Sequence, residues 1–211
     1  MKHFGAMGKN TLLDVACGSG YSTSLFIKAG IRSYDGVDIN EEQIAYANYR
    51  YASHAYSVER VNYHIGDLST FNNGKTFDII TCYGVIERIN DYESAIKKLY
   101  SLLNYGGVLL ISSSNRLVTS PRCSSIDDKP MNEFHTQEFT PNELLSLLNC
   151  SGFHVSQEKV FGQHQRRLYS NKFSNKIIQS VCAKLKRRRN SIVTAVRDKV
   201  PEHFIVVATK I

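Results

Sequence analysis

The chain has 211 residues and a mass of 23.9 kDa, of which 42% are hydrophobic and 21% charged. That is enough for one domain with its own core, and it excludes wholesale disorder. The net charge of +7 is unevenly spread: Gly162 to Val200 holds 11 Lys plus Arg and one acid, Asp198, while the rest is mildly acidic. No apolar run approaches a membrane span. The mixed stretch Met1 to Asn10 lacks the plan of a signal peptide, so a cytoplasmic location is expected. Cys17, Cys82, Cys123, Cys150 and Cys182 contain no C-x-x-C pair, which disfavours a disulfide framework or a cysteine zinc site. Cys17, Cys82 and Cys150 have apolar neighbours and read as small packing residues.

Thr11 to Ala16 reads as a buried strand ended by Gly18, followed by a helix over Ser19 to Ala29. Tyr34 to Asp38 is a second strand. Asn40, with Gln43 at the capping-box position, opens a helix to about Tyr51. Val61 to Ile65 and Phe77 to Cys82 are the third and fourth strands. Asp91 to Leu103 is a helix closed by the Asn104 to Gly107 turn, and Val108 to Ser112 is the fifth strand. Ser113 to Phe139 is loop-like. Thr140, Pro141 and Glu143 then begin a helix that runs to about Cys150 and stops at Gly152. Phe153 to Val160 and His203 to Ala208 read as the last two strands. This alternation predicts an α/β protein with a parallel sheet covered by helices on both faces. Such sheets bind ligands at the carboxyl ends of their strands.

Those ends are informative. The first strand runs into Asp14-Val15-Ala16-Cys17-Gly18-Ser19-Gly20, where the two glycines permit a sharp turn close to a ligand, or simply a tight turn. The second ends in Asp38, 18 residues after Gly20. An acid there can accept from both hydroxyls of a ribose, or serve as a charge at a helix N-terminus. The third is followed by Gly66-Asp67-Leu68, a carboxylate for an exocyclic adenine amine and an apolar side chain for the base. The third glycine of a dinucleotide loop is replaced by Thr23, and no Walker lysine is present, which suits a nucleoside ligand without phosphates.

Leu12 to Ser22 (LLDVACGSGYS), Gly36 to Asn40 (GVDIN), Gly66-Asp67, Phe77 to Ile89 (FDIITCYGVIERI) and Leu103 to Ile111 (LNYGGVLLI) resemble the motifs of class I S-adenosylmethionine-dependent methyltransferases. The resemblance implies a doubly wound, Rossmann-like, mostly parallel sheet of seven strands. It implies S-adenosylmethionine as cofactor. Gly18 and Gly20 would line its methionine moiety, with Ala16 and Cys17 beside it, and Asp14 would hold the loop and the ligand's amino group. Asp38 would bind the ribose, with Ile39 against the adenine. Asp67 and Leu68 would bind the adenine, and Cys82 and Tyr83 would sit near the sulfonium. The family often has Glu-His where this chain has Glu87-Arg88. Arg88 could attract an anionic acceptor or be a surface residue at a helix end.

Methyl transfer is an in-line displacement that needs alignment, and a base when the nucleophile is a hydroxyl. The chain reads Thr81-Cys82-Tyr83-Gly84 where relatives acting on amide or base nitrogens carry Asn/Asp-Pro-Pro-aromatic, which tilts the acceptor towards oxygen or carbon. Asn132 to Thr140 resembles the F-H-x-x-E-F segment of small methyltransferases of bacterial glycan and cell-surface polysaccharide pathways. Within it, His135 is the leading candidate for a general base or acceptor contact, or else a histidine tying down the loop. Glu138 reads as a structural or capping acid on the acceptor side.

The expected organisation is one domain, with a cofactor-binding half over 10–115 and an acceptor-side half over 116–211. A basic helical insertion at about 162–200 interrupts the second half. Ser174 to Arg189 has an amphipathic pattern, with Lys184 to Arg189 crowding its end. It reads as a helix packed on the sheet, a contact for anionic membrane lipids or a phosphate-bearing acceptor, or a nucleic-acid contact. With only ten residues before the first strand, little N-terminal cover is expected over the cofactor site. The expected activity is O-methylation of a sugar, glycan or related small acceptor. The alternatives are methylation of a quinone precursor or other small metabolite, RNA methylation, or a non-catalytic cofactor-binding domain that docks a partner. No metal is expected.

Overall fold

A computed structural model describes residues 10–52, 60–155, 160–163 and 201–211. The first strand, β1 (Thr11–Val15), is apolar except for Thr11 and Asp14, and its last four residues are buried. Apolar runs of this kind suit the centre of a parallel sheet, where both faces are covered. β2 (Ser33–Asp38) and β4 (Phe77–Cys82) pair with its two sides in parallel. β3 (Arg60–Ile65) extends the sheet beyond β2, and β5 (Leu103–Ser114) extends it beyond β4, both in parallel. β8 (His203–Lys210) then runs antiparallel to β5.

β6 (Phe153–His154) and β7 (Val160–Gln163) both pair antiparallel with β8. Thr209 and Val206 of β8 already pair with β5, so β6 and β7 share its other flank. Eight segments thus occupy seven strand positions, in the order β3-β2-β1-β4-β5-β8 and then β6 with β7. The sequence placed one strand over Phe153 to Val160. The structure divides it, with residues 156–159 outside the described part.

Helices cover both faces. Leu12, Tyr34 and Ile79 form a cluster with Phe26 of α1 (Thr23–Lys28) and Ile31 on one face. On the other, Leu13, Ile80, Ile111 and Val206 join Ile96 and Leu99 of α3 (Tyr92–Leu102) and Leu144 and Leu148 of α5 (Pro141–Cys150). α2 (Glu41–Ala52) buries Ile44 and Ala47 and reaches the sheet through Tyr51, whose ring meets Tyr63 of β3 at 5.8 Å. α4 (Arg116–Thr119) is a single turn in the stretch expected to be loop.

Element ends follow local chemistry. Thr140 and Glu143 form the expected reciprocal capping box. Asn40 caps α2 by accepting from the Gln43 N–H at 3.0 Å, but its own N–H goes to Asp38 Oδ1 at 2.9 Å, so the expected box is only half made. The helix expected over Ser19 to Ala29 is shorter, because the chain first makes turns through Gly20. The Asn104 to Gly107 turn is absorbed into β5, where the pairing with β4 shifts between Phe77 and Ile79. Cys17 and Cys82 are buried as expected, whereas Cys150, at the end of α5, is exposed: the buried Leu144, Leu145 and Leu148 lie on the other face of the helix. The Ser174 to Arg189 segment, Cys182 within it and Lys184 to Arg189 lie outside the described residues, as does most of the 162–200 insertion.

The chain builds β1, β2 and β3 outward in one direction, then crosses back to place β4 on the other side of β1. The resulting crevice lies at the carboxyl ends of β1 and β4. Close packing there fixes Gly36 of β2, where an added Cβ would lie 2.7 Å from Cys17 Sγ and 3.0 Å from the Tyr63 ring. Gly36→Ala is therefore expected to cost about 1–3 kcal/mol by overpacking. Urea unfolding reads this directly, and an unchanged midpoint would count against the packing described.

Candidate functional site

The turn after β1 contains three residues in the left-handed region: Ala16 (φ 56), Gly18 (φ 52) and Gly20 (φ 68). A side chain at Gly20 would also strike the Tyr63 hydroxyl, 2.5 Å from the added Cβ. Asp14 lies beneath this turn and is 5% exposed. Its Oδ2 accepts from Ser22 Oγ at 2.5 Å and Tyr34 Oη at 2.8 Å, and its Oδ1 from Thr81 Oγ1 at 2.6 Å. Burial pushes this carboxyl above the usual range against the pull of the three hydroxyls, and Asp38 nearby adds to the rise.

Asp38, at the end of β2, links the two turns. Its Oδ2 accepts the Gly18 N–H at 2.8 Å, and its Oδ1 accepts from Asn40. After β3, Asp67 Oδ1 accepts the Ser69 N–H at 2.7 Å and Ser69 Oγ at 2.6 Å, which holds this carboxyl below the usual range. Its Oδ2 makes no hydrogen bond among the described residues.

These groups border an open groove of about 980 Å³, lined among others by Ala16, Asp38, Ile39, Asp67, Leu68 and Tyr83. Ile39 is exposed on it, while Leu68 is largely buried in its wall. Gly18 and Gly20 shape the turn without forming part of that wall. Cys17 points its thiol at Gly36, and burial pushes it up to about 12. Cys82 is fully buried beneath the end of β4, and Tyr83 alone of that pair reaches the groove.

A second cavity of about 690 Å³ adjoins the first, sharing Tyr83, Gly84 and Arg88 with it. His135, Glu138 and Glu87 line it. The His135 side chain is 7% exposed, and its Nδ1 lies 2.7 Å from Glu138 Oε1. Glu138, itself buried, accepts from Thr119 Oγ1 at 2.5 Å through its other oxygen. Asn132 Nδ2 lies 3.1 Å from His135 Nε2. This pattern suits an imidazole that donates from Nδ1 and accepts at Nε2. Glu138 orients the ring rather than capping a helix.

Residues 13–109 match the family model described as a methyltransferase domain. The chain carries the methyltransferase domain of the class I S-adenosylmethionine-dependent enzymes. A "Probable S-adenosylmethionine-dependent methyltransferase" of Mycolicibacterium smegmatis is 32% identical over 145 residues, 68% of this chain and 52% of that protein. A "Ubiquinone biosynthesis O-methyltransferase" of Hydrogenovibrio crunogenus is 31% identical over 121 residues, 55% of this chain and 47% of that one. The chain thus spans about half the length of these relatives. Among solved structures, a "putative S-adenosylmethionine dependent methyltransferase" from Listeria monocytogenes superposes with a TM-score of 0.65 at 14% identity, covering 96% of this chain and 92% of that one. The N-methyltransferase NodS of Bradyrhizobium japonicum, in complex with S-adenosyl-L-homocysteine, gives 0.62 at 13% identity, covering 96% and 78%. These two likenesses concern the fold.

The methyltransferase domain brings Ala16, Asp38, Ile39, Asp67, Leu68 and Tyr83 to one groove, and Arg88, His135 and Glu138 to the adjoining cavity. Sequence reasoning passed over Glu87, treating it only as the neighbour of Arg88. Its residue is 3% exposed, and Oε2 has no hydrogen-bond partner among the described residues. An unpaired buried carboxyl is invisible in a one-dimensional pattern. Its position soon after a strand end at the crevice was the available signal. It also passed over Asp35, a buried carboxylate in β2 bonded to His64 Nε2 at 2.8 Å and Lys75 Nζ at 3.1 Å, which gives His64 a structural role.

Burial pushes the Glu87 carboxyl upward, with the backbone N–H groups of Glu87 and Ser114 and the His135 side chain opposing. The folded chain therefore holds this proton more tightly than the unfolded chain. The stability it contributes is complete below the ordinary carboxyl pKa and is lost as pH rises through the folded value. Glu87→Gln removes that loss. Its melting temperature should exceed that of the native protein at about pH 8, with the gap narrowing towards about pH 4. A gap independent of pH would contradict the assignment.

Proposed function

We propose that the protein transfers the methyl group of S-adenosylmethionine to a hydroxyl oxygen of a small, polar acceptor such as a sugar or glycan unit. The observation that carries this reading is the buried His135–Glu138 pair in a polar cavity that opens onto the cofactor groove. The groove suits the cofactor. Asp38 offers carboxylate oxygens at the place of a ribose diol, and the unengaged oxygen of Asp67 suits an exocyclic amine. Ile39 and Leu68 offer apolar surface to a base. When bound, S-adenosylmethionine supplies an electrophilic methyl on a sulfonium, whose leaving group is neutral.

The chain then has two tasks. Tyr83 and Gly84, common to both cavities, lie where donor and acceptor meet and set their approach. His135 Nε2 takes the proton of the acceptor hydroxyl, which replaces the Asn132 amide there, while Glu138 holds the ring and stabilises its charged form. The O–C bond forms as the S–C bond breaks, the electron pair stays on sulfur, and the proton leaves through His135 to solvent. Arg88, exposed at the mouth of both cavities, is placed to attract an anionic group on the acceptor.

A quinone precursor is the second reading, favoured by relatives named as ubiquinone biosynthesis O-methyltransferases. The second cavity is bordered mainly by charged and hydroxyl side chains, which suits a polar acceptor better than a long apolar tail.

Calorimetric titration with S-adenosylhomocysteine, beside NAD, tests the cofactor site. Asp38→Ala should weaken the first ligand at least about tenfold, by losing charged hydrogen bonds. Equal binding of NAD, or of the variant, would sink the assignment. His135→Gln should lower kcat for hydroxyl acceptors by about 10²–10⁴ while S-adenosylhomocysteine affinity stays unchanged. Undiminished turnover would remove His135 from the chemistry.

A further inference from the structure

The 3-10 turn Ile86–Arg88 carries Glu87 into the wall of the second cavity. This turn is clamped from the other half of the chain. Gln137 Nε2 donates to the carbonyls of Ile86 at 2.7 Å and Ile89 at 2.9 Å. The Thr136 N–H and Oγ1 donate to the Glu87 carbonyl at 2.8 and 3.2 Å. The segment that supplies the clamp also supplies His135 and Glu138. Glu87 and the His135–Glu138 pair are therefore held against one another by a shared backbone.

Within this arrangement the Glu87 side chain is anomalous. Its residue is 3% exposed, it lines a cavity, and its Oε2 has no partner among the described residues. Buried carboxyl oxygens ordinarily find one, and an orphan of this kind is costly. The neighbouring carboxyl, Glu138, is fully engaged by His135 and Thr119, and Arg88 beside it is exposed. The other carboxyl oxygen has the Glu87 and Ser114 backbone N–H groups near it, whereas Oε2, buried just behind the wall of the cavity that Glu87 lines, would gain a partner if a small turn of the side chain met an entering hydroxyl.

We propose that Glu87 is an acceptor-binding residue and that the acceptor is a vicinal diol: one hydroxyl meets His135 and is methylated, and its neighbour hydrogen-bonds to the free Glu87 carboxyl oxygen. This deepens the hydroxyl-transfer reading and rests on it. A carboxyl partners a hydroxyl in either protonation state, as acceptor when ionised and as donor when not. A site built to bond a hydroxyl rejects the analogue lacking it, because the buried group is then left unpaired. Two sources supply this chemistry: the neighbouring hydroxyls of a sugar ring and those of a catechol.

The test uses the full chain with S-adenosylmethionine and four probes. Catechol and methyl glucopyranoside carry the diol, and phenol and cyclohexanol lack it. The native protein should show a KM for one of the diols at least about tenfold below that of its single-hydroxyl counterpart. Glu87→Ala should abolish this preference by raising the diol KM, with KM for S-adenosylmethionine unchanged. Glu87→Gln, which keeps a hydrogen-bonding group, should restore part of it. Preference for catechol or for the glucoside tells which source the cavity accepts. Native protein that methylates diol and single hydroxyl alike, or a Glu87→Ala loss that is equal for both, overturns the diol assignment while leaving hydroxyl transfer standing. Transfer to none of the four probes but to a hydroxyl-free amine such as cyclohexylamine overturns hydroxyl transfer itself, and the diol with it.

Discussion

The buried carboxyl of Asp14 is the joint on which the site depends. It gathers hydroxyls from the start of α1, from β2 and from β4 onto one residue of the central strand. Directly above it the chain passes through Ala16, Gly18 and Gly20 in left-handed conformations that cost energy or demand glycine. The hydrogen bonds below hold that turn in place. Asp38 then reaches across to the Gly18 N–H, so the ends of β1 and β2 form one rigid unit. A groove of the kind proposed to orient a nucleoside gains from such a preorganised edge.

The second cavity is built by a different device. No strand end places His135. A single turn, Ile86–Arg88, is instead locked to the segment Thr136–Gln137 by side-chain to backbone hydrogen bonds between residues 48 to 51 apart in sequence. The same segment continues through Glu138 and Phe139 into the boxed start of α5, and buried Arg116 binds the Glu138 carbonyl and the Glu143 carboxylate. The first groove and the second cavity meet at Tyr83, Gly84 and Arg88, the only residues common to their walls among the described residues.

Much of this was legible in one dimension. Apolar runs located the central strands closely, and Phe77–Cys82 coincides with its expected bounds. The Thr140–Glu143 box marked α5 to the residue, because a cap is a local contact. The less legible parts depended on distant partners. Asn40 gave up half its box because Asp38 competes for its N–H. Cys150 is exposed because its position around α5, rather than its neighbours in sequence, sets its burial. The strand expected over Phe153 to Val160 divides into two along one flank of β8, whose pairing partners lie some fifty residues away.

The sequence by itself determined the alternation of elements, the acids at the ends of β2 and β3, and the family of the domain. Each of these rests on periodicity or on residues a few positions apart. Only the tertiary structure decided that Glu138 orients His135, that Cys82 stays below the groove while Tyr83 enters it, and that Glu87 faces the cavity with an oxygen unpaired. Those facts are contacts and missing contacts between segments far apart along the chain, and burial and pairing acquire values only once the segments are packed.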